Sequence, residues 1–479
     1  MLGRQVLAFL PAHVVPAVAS FAGVYIFTRV ATPAEYGLFA LVMSVAQMCQ
    51  SVLFYWIQVG ATRHVDAARL AGTLPALRSA VYRSHATTFA VFAAVFSIAL
   101  LVLPLESRLR DALWFALAIV GLRSLVAVNQ AFARGELRIA RFNLVECVQA
   151  LAQLAFGLAL LHLTAARAGA LLIGTVAASL LVLSIDLRGI ASALRRPTPR
   201  SEVVGLLRFG LPLSISFALN YVLATSDRLL VEYFLGSDQV GVYSVAYTLM
   251  DRAVSSIFIA VGLAAFPLAI RAYERDGPAG ASRQLRENGR LLLALAVPVC
   301  LLLMCLSHQL AAVMVGEAFR AEASQIMPWV ALAALLAGFQ IHFFDHAFHL
   351  SRRTTLFLWT TGPAALLNIG LNVLLLPRLG LMGAVWATLA SYVVSLAASI
   401  VIGARVLKVP LDLPELARVL LAGAVMVIAV VALDVPGSVP GLAAASVVAV
   451  LVFGAMGVGL DVAGWRTRLG AARTKRSGS

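Results

Sequence analysis

Residues 20–40 read Ser-Phe-Ala-Gly-Val-Tyr-Ile-Phe-Thr-Arg-Val-Ala-Thr-Pro-Ala-Glu-Tyr-Gly-Leu-Phe-Ala. The stretch finishes one apolar run, makes a short polar turn at Thr32-Pro33-Ala34-Glu35, and opens a second apolar run at Gly37. A membrane-spanning helix needs ~20 mostly apolar residues, and both runs are long enough. Upstream, Arg4, an apolar run and Ala17-Val18-Ala19 have the outline of a secretory signal with its cleavage site. The apolar character continues unbroken to Phe27 and a second span follows at once, so the segment is expected to stay as the first transmembrane helix.

The rest of the chain repeats this alternation. Apolar residues make up 61% of 479 positions and charged residues 12%, about half the charged share of a soluble domain. Soluble cores stop growing near ~250–300 residues, so water could not cover so much apolar surface; lipid can. About fourteen spans are expected. They start near Leu7, Gly37, Ser84, Ala112, Asn143 and Ala168, then near Leu207, Val240, Asn288, Ile326, Thr354 and Leu381, with a last pair near Leu416 and Leu442. The four cysteines, Cys49, Cys147, Cys300 and Cys305, all lie inside apolar runs and form no C-x-x-C pair. They read as small core residues, not as a disulfide or zinc set.

The net charge of +15 is carried by arginine, with Lys408 and Lys475 the only lysines. Such a balance can mark nucleic-acid binding, but here the arginines sit in alternate loops. Arg63, Arg69, Arg78 and Arg83 share a side with Arg134, Arg138 and Arg141, with Arg188 to Arg208, with Arg271 to Arg290, and with Arg352, Arg353, Arg405 and Lys408. The opposite loops hold few: Arg29, Arg108, Arg110, Arg167, Arg320 and Arg378. By the positive-inside rule the basic loops and both termini are cytoplasmic, and no nucleic-acid partner is expected.

The Pro-rich basic break at Arg195-Arg196-Pro197-Thr198-Pro199-Arg200 reads as a joint between halves, and Asp276-Gly277-Pro278-Ala279-Gly280 as a flexible turn. A weak internal repeat supports two halves. Thr32 to Ala40 follows the first span as Gly236 to Ser244 follows the seventh, each with a polar turn, a glycine and an aromatic; Ala168-Gly169-Ala170 and Met382-Gly383-Ala384 open the sixth and twelfth. The expected fold is all-α integral membrane, two six-helix bundles with a pseudo-two-fold repeat plus two extra helices. The expected segments are residues 1–194 for the N-terminal bundle, 195–208 for a cytoplasmic linker, 209–410 for the C-terminal bundle, 411–465 for the additional pair and 466–479 for a basic cytoplasmic tail.

Ionisable groups inside the spans are the candidates for function, because each costs at least ~2.5–3.5 kcal/mol at the bilayer centre and needs a partner or a wet cavity. They are Arg123, Asp227, Arg228, Asp251, Arg252 and Asp345, with Arg29 near the outer end of the first span. Ser216, Asn220 and Asp227 share one helical face by spacing, and a stripe of that kind lines a cavity or packs internally. Asp227 and Asp251 could equally neutralise Arg228 and Arg252 as structural pairs. His342, Asp345, His346 and His349 fall at offsets of three, four and seven, which predicts one helical face. Histidines at i and i+4 have metal-ligand spacing, but the glutamate of an H-E-x-x-H motif is absent. A titratable cluster for ion coupling or polar packing fits better, and no metal is expected.

The stretches Thr28–Ala40, Ser226–Gly236 and Val240–Tyr247, with Phe209-Gly210-Leu211-Pro212 and Gly380-Leu381-Met382-Gly383-Ala384, resemble bacterial polysaccharide flippases of the Wzx type, within the multidrug/oligosaccharidyl-lipid/polysaccharide transporter superfamily. The resemblance covers nearly the whole chain and is specific in combination. It implies alternating access that moves a polyprenyl-diphosphate-linked oligosaccharide across the bacterial inner membrane, from cytoplasmic to periplasmic leaflet. It also implies membrane lipid as surroundings and a polysaccharide polymerase and chain-length regulator as partners. The anionic head group would be met by Arg29, Arg123, Asn220, Asp227, Arg228 and Arg252, and arginine's planar fork suits phosphate oxygens. Ion coupling would fall to His342, Asp345 and His346. An ion-coupled multidrug exporter of the same superfamily is the alternative, favoured by acidic cavity residues, whereas buried arginine here is at least as frequent as aspartate. The near-absence of lysine departs from many members.

No P-loop, paired catalytic carboxylates or long extramembrane segment points to an enzyme, and no cofactor is expected. In a cysteine-free background, labels placed at Ser201 and Ser477 should react only from the cytoplasm and a label at Ser438 only from outside. Reversed accessibility at Ser477 would overturn the orientation.

Overall fold

The computed structural model describes residues 8–161 and 167–466, apart from the side chains at 212, 213 and 215–217. The label site Ser477 lies outside the described residues. Among the described residues there is no strand, as lipid demands: a helix pairs its backbone polar groups within itself, whereas an unpaired one costs several kcal/mol in hydrocarbon.

The helices are α1 (Pro11–Val30), α2 (Pro33–Leu53), α3 (Tyr55–Leu70), α4 (Leu74–Val102), α5 (Ser107–Gly135), α6 (Ile139–Leu161), α7 (Arg167–Ser184), α8 (Leu187–Leu194) and α9 (Arg200–Leu235). There follow α10 (Ser237–Cys305), α11 (Ser307–Met314), α12 (Glu317–Phe339), α13 (His346–Leu350), α14 (Phe357–Leu379), α15 (Leu381–Ala404), α16 (Leu413–Ala432) and α17 (Val439–Gly459). Among the described residues, 12 helical stretches are long and apolar enough to cross a membrane. The protein is a multi-pass, all-helical membrane protein.

Two compact units arise, Met1–Ser244 and Val245–Ser479. In the first, α9 packs on α2, α3 and α4. Its buried core includes Val42, Phe54, Ile57, Leu77, Ile119, Val120, Leu172 and Leu206. Val91, Val95, Ile98 and Leu101 of α4 are exposed, as an apolar helix face against lipid should be.

The basic loops of this unit are tied down by their arginines. Arg78 pairs with Glu136 at 2.5 Å, Arg141 pairs with Asp186, and Arg83 donates to the carbonyls of Leu194 (3.1 Å) and Arg196 (2.9 Å). These basic residues thus also hold the helix ends around α8.

Helix α10, which starts in the first unit and continues through the second, is 69 residues long, roughly 100 Å at 1.5 Å per residue and far beyond a ~30 Å hydrocarbon core. It is broken at Gly277, where φ is 65° and ψ is −159°. Asn288 Nδ2 donates to the Ala265 carbonyl at 3.1 Å, so the two arms fold back on each other around Gly277. The stretch expected as a flexible turn is a hinge inside an otherwise continuous helical path.

The last helix pair is fastened to this hairpin. Asp412 caps α16 by accepting from Glu415 N (3.3 Å) and accepts from Arg290 Nε (2.8 Å). Burial alone would raise the Asp412 carboxyl, but the Arg290 hydrogen bond, the Glu415 N–H and the charges of Arg290 and Arg286 outweigh it and hold it below its ordinary value. Glu415, 2% exposed, accepts from Ala463 N at 2.6 Å, which closes the end of the chain onto the start of α16.

Candidate functional site

The polar turn after the first span is a helix start built to specification. Thr32 accepts from Glu35 N (3.3 Å) while Glu35 Oε2 accepts from Thr32 N (2.9 Å), and Pro33 occupies the first turn. This reciprocal capping box satisfies donors that a helix cannot pair itself. It fixes where α2 begins and hence where Gly37 falls.

Gly37 and Gly241, which hold corresponding places in the weak repeat, meet face to face within the first unit. A Cβ on Gly37 would lie 1.8 Å from the Ser237 carbonyl oxygen, and one on Gly241 would lie 2.1 Å from the Pro33 carbonyl oxygen. Both obstacles are backbone, so only glycine permits this approach of the starts of α2 and α10.

Beside this contact lies the polar part of α9. Asp227 is 1% exposed and accepts from the Tyr243 hydroxyl at 2.8 Å. Arg228 leaves the helix about 100° away and donates from Nε to Ser244 Oγ at 3.1 Å, within electrostatic reach of Tyr36. The two adjacent charges of the seventh-span motif are therefore each engaged by α10, through Tyr243 and Ser244. Asn220 is half-buried on the same helix, and the side chain of Ser216, the third residue of the expected stripe, lies outside the described residues.

Arg29 sits in the last turn of α1, its guanidinium 3.8 Å from the Tyr25 ring centre and donating to the Tyr25 carbonyl at 2.6 Å. A cation there also complements the negative end of the helix dipole. Arg123 is half-buried in α5. Arg252 is exposed although it lies 15 residues into α10, and an exposed arginine at that depth calls for water or an anionic group. Asp251 accepts from Ser255 Oγ at 3.1 Å.

The expected single face of His342, Asp345 and His346 divides in two. Gln340–Phe344 form a π-turn, with Asp345 N bonded to the Gln340 carbonyl at 2.9 Å. The wider i→i+5 turn rotates the residues on its C-terminal side. His342 stacks on Phe258, and His346 stacks on Phe266 with ring centres 4.2 Å apart, so both face α10. Asp345, 3% exposed, instead accepts from Ser399 Oγ of α15 at 2.8 Å. Among the described residues no three His, Cys, Asp or Glu side chains are placed to hold a metal ion.

One constellation is not legible in the sequence. Gln130 Nε2 donates to Glu146 Oε1 (2.9 Å) and to the Phe142 carbonyl (3.1 Å). Arg134 lies 5.4 Å over the Phe142 ring and within electrostatic reach of Glu146 and Tyr55. By position Arg134 groups with the loop arginines, and no spacing links residues on α3, α5 and α6. Polar residues within apolar spans, Gln130 and Glu146, are the available signal.

Fold and site together define a multi-pass membrane protein that keeps ionisable groups within several of its apolar helices. The sequence matches the polysaccharide biosynthesis protein family over residues 26–324, and the chain belongs to that family. Comparison with curated proteins returned no match. Among solved structures, a lipid II flippase, MurJ, in its inward closed conformation has a TM-score of 0.76 and 11% identity over 95% of this chain and 99% of the other. A multidrug resistance MATE family transporter of the MOP superfamily, inward-facing, has a TM-score of 0.57 and 14% identity over 84% and 93%. A MOP superfamily transporter from Pyrococcus furiosus has a TM-score of 0.58 and 15% identity over 84% and 94%. At these identities the likeness is one of fold.

The glycine contact yields a direct test. Gly37→Ala and Gly241→Ala should each lower the thermal unfolding midpoint of the purified protein in detergent by several degrees, because a methyl group cannot be placed against a fixed carbonyl oxygen without moving the helix. An unchanged midpoint in both variants would show that the approach is dispensable.

Proposed function

We propose that this protein flips a polyprenyl-diphosphate-linked oligosaccharide from the cytoplasmic to the periplasmic leaflet of the bacterial inner membrane by alternating access, for surface polysaccharide biosynthesis. The observation that carries the reading is the set of arginines, Arg29, Arg123, Arg228 and Arg252, kept inside apolar helices of a chain from the polysaccharide biosynthesis family. A diphosphate must cross a layer of low dielectric, and fixed guanidinium groups offset its desolvation through charge-assisted hydrogen bonds, each worth ~1.5–3 kcal/mol. Asn220 and Asp227 complete the polar surface on α9. The sharing of a fold with a protein described as a lipid II flippase supports the same direction. Cytoplasmic termini, a polysaccharide polymerase and a chain-length regulator as neighbours belong to this proposal. The shared fold of a multidrug resistance transporter keeps drug export as the second reading, separated from the first by whether glycan or drug accumulates when the protein is lost.

Coupling to an ion is assigned to the π-turn region. Asp345 faces Ser399, while His342, His346 and His349 face the aromatic rings of α10 and Phe357. A carboxylate this deep changes its hydrogen bonding when it gains or loses a proton or a cation, and the neighbouring π-turn supplies backbone that can rearrange.

Arg228 distinguishes cargo binding from architecture. Arg228→Lys keeps the charge but loses the fork, so glycan export should fall while thermal stability in detergent stays near wild type; Arg228→Ala should abolish export. An Arg228→Ala protein that exports normally would end the head-group role, and an unstable one rescued by the Asp227→Asn double variant would make the residue structural.

For coupling, Asp345→Asn should flatten the pH dependence of flipping in proteoliposomes, and His346→Ala should shift it. An unchanged pH profile with full activity in both variants would return the region to packing.

A further inference from the structure

A cavity of about 440 Å³ opens in the second unit, away from the residues assigned above to cargo. Its size falls within the ~300–1,000 Å³ of small-molecule sites. One wall is a single face of α10, with Phe266, Ile270, Tyr273 and Glu274; the other is the end of α13 and the residues after it, with His349, Leu350, Ser351 and Arg352. The span Glu317–Leu350 ends here and the next begins at Thr354, and exposed Arg271, Arg275 and Arg353 are neighbours in sequence of the lining residues. The cavity therefore lies where the hydrocarbon layer gives way to the basic aqueous side.

Its chemistry is divided in the same way. Phe266, Ile270 and Leu350 form an apolar floor. Tyr273, Ser351, Glu274 and Arg352 bring a phenol, a hydroxyl, one carboxylate and one guanidinium to the rim. Among the described residues, neither Glu274 nor Arg352 takes part in an ion pair, so two opposite charges line one recess without neutralising each other. Arg352 also has φ of 58°. It occupies the left-handed position that closes a helix, with Arg353 N bonded to the Phe348 carbonyl at 3.0 Å, where glycine is the usual residue. Retaining an arginine there is costly for the backbone and calls for a use of its side chain.

We propose that this cavity holds the headgroup of a phospholipid bearing a primary ammonium. Arg352 meets the phosphate, which Ser351 and the Tyr273 hydroxyl can also hydrogen-bond, and Glu274 accepts from the ammonium. The glycerol and the first acyl carbons lie on Phe266, Ile270 and Leu350. A lipid with a purely anionic head brings no cation to Glu274 and leaves its charge uncompensated. A trimethylated head offers Glu274 no N–H. The site would thus select one class of lipid, independently of what the protein carries, and so fasten the Gly277 hairpin arm to the loop after α13.

The test uses the full-length purified protein in mixed micelles containing equal phosphatidylethanolamine, phosphatidylcholine and phosphatidylglycerol, with bound lipid identified by native mass spectrometry. Wild type should retain phosphatidylethanolamine about ten-fold over the other two, as one charge-assisted hydrogen bond allows. Glu274→Gln should erase the preference over phosphatidylcholine. Arg352→Gly, which suits the left-handed backbone and so preserves the fold, should weaken retention of all three lipids alike. Equal retention of the three by wild type would overturn the proposal, as would a preference that survives Glu274→Gln. Displacement by soluble glycerophosphoethanolamine at the concentration of the lipid would overturn the assignment to lipid.

Discussion

Inside hydrocarbon, a peptide N–H or C=O without a partner costs several kcal/mol, and the rest of this structure depends on meeting that demand. Helices satisfy it along their length, but each leaves four unpaired donors at its start and four unpaired acceptors at its end. The chain deals with those ends one by one. Thr32 and Glu35 close the start of α2, Asp412 the start of α16, and Ser438 the start of α17 through Gly441 N at 3.2 Å. Arg29 reaches the Tyr25 carbonyl at the end of α1, and Arg83 reaches the carbonyls after α8. Arg83, one of the basic-loop arginines, thus also satisfies carbonyls at a helix end, and one residue type serves charge placement and backbone satisfaction together.

Fixed helix ends make close contacts possible. With α2 starting at Pro33, Gly37 comes one turn into the helix, where it can accept the backbone of Ser237 and Gly241. Because the approach is backbone to backbone, it is stiff, and it places Asp227, Arg228, Tyr243 and Ser244 beside it in one polar group. The motif that carries the family resemblance in the sequence is accordingly a packing unit as well. Its glycines, cap and charges form one mechanical assembly at the meeting of two helix starts.

The readable part of the sequence was the part governed by period and sign. Apolar runs of spanning length and arginine asymmetry led to an all-helical, multi-pass chain, and the Thr32-Pro33-Ala34-Glu35 turn carried its own capping chemistry. What stayed hidden depends on non-local packing or on departures from the helical repeat. Spacing placed Asp345 with His342 and His346, but the π-turn at Gln340–Phe344 sends the carboxylate to Ser399 and the rings to Phe258 and Phe266. Gln130, Arg134 and Glu146 come together only because α5 and α6 pack. Gly277 looked like a loop because of Pro278 and Gly280, yet helical geometry resumes immediately and the break acts as a fold-back point.

Charge placement then has a common logic in both units. A membrane protein can keep an ionised group at depth only if something compensates it. Where the compensation is internal, the geometry is short and specific, as for Asp227 with Tyr243 and for Glu415 with Ala463 N. Where a charge instead stays exposed deep in an apolar helix, as Arg252 does, or lines a recess without joining an ion pair, as Glu274 and Arg352 do, the compensation must come from outside the chain. Water supplies it wherever it reaches the charge, because hydration stabilises an ion strongly. A phosphate or an ammonium supplies it strongly. The distribution of internally satisfied and externally directed charges therefore separates the groups that hold the helices together from the groups free to meet what surrounds the protein.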